Sequence, residues 1–255
     1  MSTLKSPSLL QGVNVLGFLL TIVVNALANT YALNGRTTGE ISDLYPTLIT
    51  PAGYVFSIWG LIYTLLLVFV VFQALPKQRG NPFLGKISFL FVLSSILNIA
   101  WLLLWQYLQI SLSVIPMFAL LATLIAIYLR LQIGKSSVSL KEKICVHLPF
   151  SVYLGWITVA SVANVAAALV AAEWGGWGIS DVAWATVVLV MILVITLAVI
   201  VTRKDVAYGL VIVWSLVGIA VKQSENQGLV TTTEVGAITV VVAMVAAVFA
   251  SRVKH

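Results

Sequence analysis

The amino-acid sequence predicts an all-α integral membrane protein with eight transmembrane helices and both termini in the cytoplasm. Three observations predict it. The chain of 255 residues is 61% hydrophobic and 9% charged, with a mean hydropathy of +1.09. Its apolar residues fall into stretches at roughly 13–33, 52–75, 87–109, 111–130, 145–170, 182–202, 206–221 and 230–250, each about long enough to cross a hydrocarbon core of ~30 Å. With the N-terminus inside, Lys5, Lys77, Arg79, Lys86, Arg130, Lys135, Lys141, Lys143, Arg203, Lys204, Arg252 and Lys254 fall on the cytoplasmic side, and only Arg36 and Lys222 fall outside. That bias sets orientation, and a seven-span or nine-span reading breaks it. Five of the eight acids (Glu40, Asp43, Glu173, Asp181 and Glu225) lie outside, and Glu234 lies near the outer end of the last stretch.

The first stretch, with Lys5 before it and Ala26-Leu27-Ala28 near its end, imitates a signal peptide. However, Asn14, Thr21, Asn25 and Asn29 fall within about 80° of arc on one helical face. A cleaved leader has no use for such a stripe, whereas a bundle helix uses amides to bond across helices. An uncleaved first helix is therefore expected. On the second stretch, Trp59 and Tyr63 stand four apart on one face. On the third, Asn98 and Trp101 are three apart, and Trp105 continues the row. Almost nothing separates the third stretch from the fourth near Ile110 and Ser111, so those helices form an antiparallel hairpin.

On the fifth stretch, Trp156, Ala160 and Asn164 recur every four residues, with Tyr153 three before Trp156. The linker Glu173-Trp174-Gly175-Gly176-Trp177-Gly178 should lie at the outer interface, where indoles favour the headgroup level. The last helix carries Gly236, Ala237, Ala243, Ala246 and Ala247, small residues that permit close helix approach. An amide in hydrocarbon is costly without a partner. Two readings of Asn98, Asn164 and the indoles are open: interhelical packing, or a cavity for a flat apolar ligand with a few polar atoms.

Function classes are narrowed by what is missing. The net charge of +6 sits in short loops, where it meets anionic lipid headgroups rather than nucleic acid. A single cysteine, Cys145, excludes an internal disulfide and a multi-cysteine metal site. No carboxylate pair, nucleophile–base pair or phosphate loop marks an enzyme, and no resident cofactor or metal is expected. His147 and His255 lie at or beyond the ends of apolar runs, and interfacial solvation is the expected fate of His147. Lys222 is expected to snorkel to the outer headgroups. The stretches lack the midplane charge that ion-coupled transporters use. A small-solute permease not coupled through such charges is the alternative to a ligand-binding protein.

Three motifs carry a family resemblance. Trp59-Gly60-Leu61-Ile62-Tyr63, Leu97-Asn98-Ile99-Ala100-Trp101 and Tyr153-Leu154-Gly155-Trp156 with Ala160 and Asn164 occur in order on the second, third and fifth helices. Together with the tight third-to-fourth hairpin they resemble the tryptophan-rich sensory protein family, which includes the mitochondrial translocator protein or peripheral benzodiazepine receptor. The resemblance covers about residues 10–170. It implies a five-helix membrane bundle, often a homodimer, whose pocket opens toward the connection between the first two helices and binds porphyrins, sterols or synthetic ligands. Trp59, Asn98, Trp101, Trp156 and Ala160 then lie around the pocket, with Tyr63, Tyr153 and Asn164 as neighbours. A tetrapyrrole would be a ligand, not a resident cofactor. The division expected is residues 1–172 as the five-helix bundle and residues 173–255 as three additional helices with no counterpart in the five-helix family. The chain also departs from the family pattern. Gly53 stands where the family has a tryptophan, Val152 precedes Tyr153 in place of proline, and Leu102 follows Trp101 in place of proline. Short loops and the charge bias point to a prokaryotic inner membrane.

Overall fold

The computed structural model describes residues 7–30 and 33–252, with side chains through Ala250; Lys5, Lys254 and His255 lie outside the described residues. Among the described residues every long element is a helix: α1 (Pro7–Thr30), α2 (Ile58–Ala74), α3 (Leu90–Gln106), α4 (Ile110–Leu131), α5 (Leu148–Ala171), α6 (Asp181–Arg203), α7 (Val206–Lys222) and α8 (Gln227–Arg252). Six spans are long and apolar enough to cross a membrane: Pro7–Thr30, Gly53–Ala74, Ile110–Leu131, Leu140–Ala171, Asp181–Arg203 and Gln227–Ala250. The other two apolar helices, α3 and α7, have 17 residues each, a rise of about 26 Å.

The distribution of polarity is inverted relative to a water-soluble protein. Gln11, Asn14, Thr21, Gln73, Ser94, Asn98, Gln106, Ser113, Asn164 and Ser215 are buried, while Leu16, Leu19, Leu61, Ile96, Ile115, Val187 and Val201 are exposed. Exposed apolar area on this scale marks contact with lipid, and the buried amides must then find partners on other helices.

α1 packs on α2 and α3, α3 on α4, α4 on α5, and α5 back on α2, which closes a five-helix ring in the order 1-3-4-5-2. Hydrogen bonds join α1 to α2 and α3, and α5 to α3 and α4. Gln11 Nε2 donates to Gln73 C=O at 2.6 Å, and Gln73 Nε2 returns a bond to Gln11 C=O at 3.1 Å, which fixes α1 to α2. The expected stripe on α1 is buried at Asn14, Thr21 and Asn25 but surfaces at Asn29, which bonds instead to the Asn25 carbonyl. The α3–α4 hairpin turns through Leu108, with φ +58°. At its mouth Gln106 Nε2 is shared among the carbonyls of Ala28, Leu33 and Arg36.

α6, α7 and α8 pack on one another, and α7 lies along α5. One continuous apolar core runs from the ring into these helices through Ala185, Leu189, Tyr208, Val211, Ile212 and Leu216. The close approach of α5 and α7 is at Gly155, where a Cβ would come 3.1 Å from Val211 Cβ and 3.3 Å from Tyr208 C=O. The turn after α4 meets the end of α6 at Gly134. Its φ of +78° favours glycine, and a Cβ there would overlap the Arg203 carbonyl oxygen.

The structure corrects the sequence reading of two groups and adds a third. His147 is buried rather than solvated at the interface; it is 5% exposed, at the end of a π-helical turn, Lys143–His147. Lys222 does not simply snorkel: its Nζ pairs with Asp43 Oδ1 at 3.0 Å. Asp205, which the sequence places in the short turn after α6, is buried. Tyr128 Oη and Ser151 Oγ donate to its Oδ2 at 2.8 and 2.6 Å, and Tyr208 N–H donates to its Oδ1 at 3.1 Å. One carboxylate thus caps α7 and joins it to α4 and α5. The Trp174 and Trp184 rings pack 5.4 Å apart beside Trp177, which is 81% exposed, consistent with an indole at a headgroup level.

Gly155→Leu should wedge α7 off α5 and destabilise the protein by about 1–3 kcal/mol, the usual cost of overpacking. Gly12→Leu, at a position with no atom near its would-be Cβ, should be near neutral. Thermal unfolding of the two variants in detergent checks the difference.

Candidate functional site

The polar and aromatic residues singled out by spacing converge inside the ring, toward the connection between α1 and α2. Trp59, on the first turn of α2, is at the centre. Its ring stacks on Tyr63 with centroids 5.4 Å apart and on Trp101 of α3 at 5.9 Å. It meets Tyr153 and Trp156 of α5 edge-on, each at 6.1 Å. Phe56 closes on Trp156 at 5.8 Å, and Trp101 continues to Trp105 at 6.0 Å. Offset and edge-to-face ring pairs each add about 0.5–1.5 kcal/mol beyond burial, so this cluster is a rigid block rather than loose filling.

Behind the rings lies a chain of amides. Asn25 Nδ2 donates to Asn98 Oδ1 at 2.9 Å, and Asn98 Nδ2 donates to Tyr153 Oη at 3.1 Å, which links α1, α3 and α5. Asn164 accepts from Trp101 Nε1 at 3.0 Å and donates to Ser113 Oγ at 2.9 Å, which links α3, α4 and α5. The asparagines therefore serve the packing role, and they also orient the indole and phenol that wall the centre of the ring.

A cavity opens beside this block. Its lining includes Trp59, Trp101, Trp156, Ala160 and Asn164 from the residues expected by sequence. Tyr63, Asn98 and Tyr153 stand one layer behind and do not line it. Sequence reasoning missed Thr38, Ser42, Pro51, Phe56, Val159 and Ala163 as lining residues. Val159 and Ala163 were within reach of the spacing argument, since each lies beside a chosen α5 position. Thr38 and Ser42 were not, because they sit on a short helix, Thr38–Asp43, in the connection. That helix is held by a capping box: Thr37 N–H donates to the Glu40 carboxylate at 2.6 Å, and Glu40 N–H donates to Thr37 Oγ1 at 3.3 Å. The backbone and hydroxyl bonds from Thr37 hold the Glu40 carboxyl below its usual range. Trp105 Nε1 then donates to Thr38 C=O at 3.2 Å and docks the helix on α3.

The cavity holds only about 30 Å³, room for one or two waters against the several hundred Å³ of a typical ligand site. Its most telling group is Trp156. The side chain is 2% exposed, and its Nε1–H has no hydrogen-bond partner among the described residues. The Tyr63 hydroxyl is also buried, beside Asn98 but without a bond of good geometry. A buried donor without a partner costs about 1–3 kcal/mol. Among the described residues no group of three or more His, Cys, Asp or Glu is placed to hold a metal ion.

The model of a family described as TSPO-like protein matches residues 11–249. No curated protein and no solved structure matches the chain significantly. The family match runs through all eight long helices, beyond the part that holds the three motifs.

Asn164→Leu should strand Trp101 Nε1, while Ser113 Oγ keeps its bond to Ile110 C=O, and lower stability by about 1–3 kcal/mol. Adding Trp101→Phe should recover part of that loss, since the stranded donor is then gone. Unfolding midpoints of the single and double variants give the coupling.

Proposed function

The chain belongs to the TSPO-like family and is a multi-pass integral membrane protein, and on that premise we propose that it binds a flat hydrophobic ligand, such as a porphyrin or a sterol-like molecule, between α2, α3 and α5. The observation that carries this reading is the Trp156 indole N–H, buried at an aromatic-walled cavity and unpartnered. A ligand with an acceptor oxygen or carboxylate over that nitrogen relieves the stranded donor, while its flat face takes the place of ring contacts within the Trp59 cluster. The contacting residues are Trp59, Trp101, Trp156, Ala160 and Asn164, supported by Tyr63, Asn98 and Tyr153. The site is a binding or sensing site without turnover, and a tetrapyrrole is its ligand rather than a resident cofactor.

The same reading takes all eight helices as spans. The ~26 Å rise of α3 and α7 is close to the thickness of a thin hydrocarbon core. The basic connections after α2, α4 and α6 face the cytoplasm with both termini, in a prokaryotic inner membrane. Residues 1–172 form the binding unit, and residues 173–255 support it. α7 covers one face of α5, so a homodimer of this chain uses a different face.

Protoporphyrin IX should quench tryptophan fluorescence of the purified protein saturably. Ala160→Phe, which fills the small position on the α5 wall, should weaken binding at least tenfold. Trp156→Phe, which removes the stranded donor, should weaken it to a similar extent, and Asn98→Leu, at a position one layer behind, should weaken it less. The ligand recovered afterwards should have an unchanged mass. Non-saturable quenching, or quenching indifferent to Ala160→Phe, would reject the site.

A further inference from the structure

The wall that closes the cavity belongs to a segment held by α7. Thr38, Ser42, Pro51 and Phe56 all lie on the connection between α1 and α2. The second half of that connection is fastened along the outer half of α7. Ala52 N–H donates to Gly218 C=O at 3.1 Å, and Trp214 Nε1 donates to Val55 C=O at 3.2 Å. The Trp214 ring lies edge-on to Tyr54 at 5.4 Å. Gln223 Nε2 reaches Thr47 C=O at 3.4 Å, and Lys222 pairs with Asp43 at 3.0 Å. The approach is closest at Gly218, where a Cβ would collide with Val55 and come 3.1 Å from Pro51 Cβ. The cavity behind this wall is too small for any flat polycycle, so a ligand enters only if the wall moves.

We propose that α7 is the latch of this wall: it holds the segment around Asp43–Val55 shut over the aromatic cavity, and release of that segment from Lys222 and Trp214 opens the cavity. The purpose of the latch rests on the ligand-binding reading above, but its test does not. The contacts differ in how readily they release. Gly218 and Pro51 meet as close-packed surfaces. The ion pair faces solvent, with the Lys222 and Asp43 side chains 26% and 65% exposed. A pair so exposed shifts an opening equilibrium by only about two- to fivefold and weakens in salt, which suits a link that is made and broken.

The test needs one thiol. In a Cys145→Ala background, Ala163→Cys places the thiol on the cavity wall, and its rate of alkylation by iodoacetamide reports opening. The reagent is uncharged, so charge reversals do not bias its approach. Lys222→Asp and Asp43→Lys should each speed alkylation about two- to fivefold, and the swapped pair should restore the original rate. Trp214→Phe, which keeps a ring against Tyr54 but loses the bond to Val55 C=O, should also speed it several-fold. Both charge positions are on the surface, so these variants keep the fold. Rates indifferent to the single reversals, or a swapped pair as fast as either single variant, would overturn the latch. Porphyrin binding is scored separately. Its failure beside the expected alkylation rates would remove the ligand and leave the latch, whereas intact binding beside indifferent rates would remove the latch and leave the ligand.

Discussion

A buried amide inside a bilayer has more hydrogen-bonding groups than its own helix can satisfy, and the search for partners on other helices organises this molecule. Leu, Val and Ile gain little by turning inward here, because lipid tails are as apolar as a protein core. Hydroxyls such as those of Thr21, Ser161 and Thr196 can bond back to their own helix, but the amides have no such freedom. Gln11 and Gln73 bind α1 to α2, the Asn25–Asn98–Tyr153 chain binds α1 to α3 and α5, and Asn164 binds α3 to α4 and α5. Each link is directional where apolar packing is not, so these few residues set most of the ring order 1-3-4-5-2, and the packing of Trp59 on Tyr153 and Trp156 closes it between α2 and α5. Asp205 extends the same logic to α7 by collecting donors from Tyr128 and Ser151.

The helices were legible in the sequence because hydropathy and charge alternation are local signals. The α1 stripe was legible for the same reason, apart from Asn29, where the helix clears the bundle. The convergence of Trp59, Asn98, Trp101, Trp156 and Asn164 was legible because each set lies on one helix face and the motifs fix which helices carry them. What escaped depends on distant parts of the chain. Asp205 follows Arg203 and Lys204 and reads as a loop acid; nothing near it in sequence points to Tyr128 or Ser151, 77 and 54 residues away. Lys222 reads as a snorkelling lysine because its partner, Asp43, lies 179 residues away. His147 reads as interfacial because its apolar run begins just before it, at about residue 145, whereas helical structure starts earlier, at Leu140.

The motifs themselves hold information about the last three helices. In Tyr153-Leu154-Gly155-Trp156, the flanking tyrosine and tryptophan face the aromatic block, while Gly155 faces Val211 and the Tyr208 carbonyl on α7. One turn of α5 thus serves two surfaces, and only the absence of a side chain lets α7 come so near. The shared apolar core and the extent of the family match to residue 249 agree with this: α6 to α8 are packed into the fold rather than appended to it.

The closed cavity follows from the same economy of contacts. Rings that stack on one another leave little space, and here Trp59 fills the centre of the ring against Tyr63, Trp101, Tyr153 and Trp156. A flat ligand that displaces part of this stack trades ring–ring contact for ring–ligand contact, an exchange with little net gain. The gain must come from terms that the closed form leaves unmet. One is apolar area on the ligand removed from lipid headgroups and water. The other is the Trp156 N–H, which finds no acceptor among the described residues. On the proposed reading, affinity is therefore governed less by how well a ligand stacks than by whether it carries an acceptor to Trp156, and by how readily the proposed latch on α7 yields to admit it.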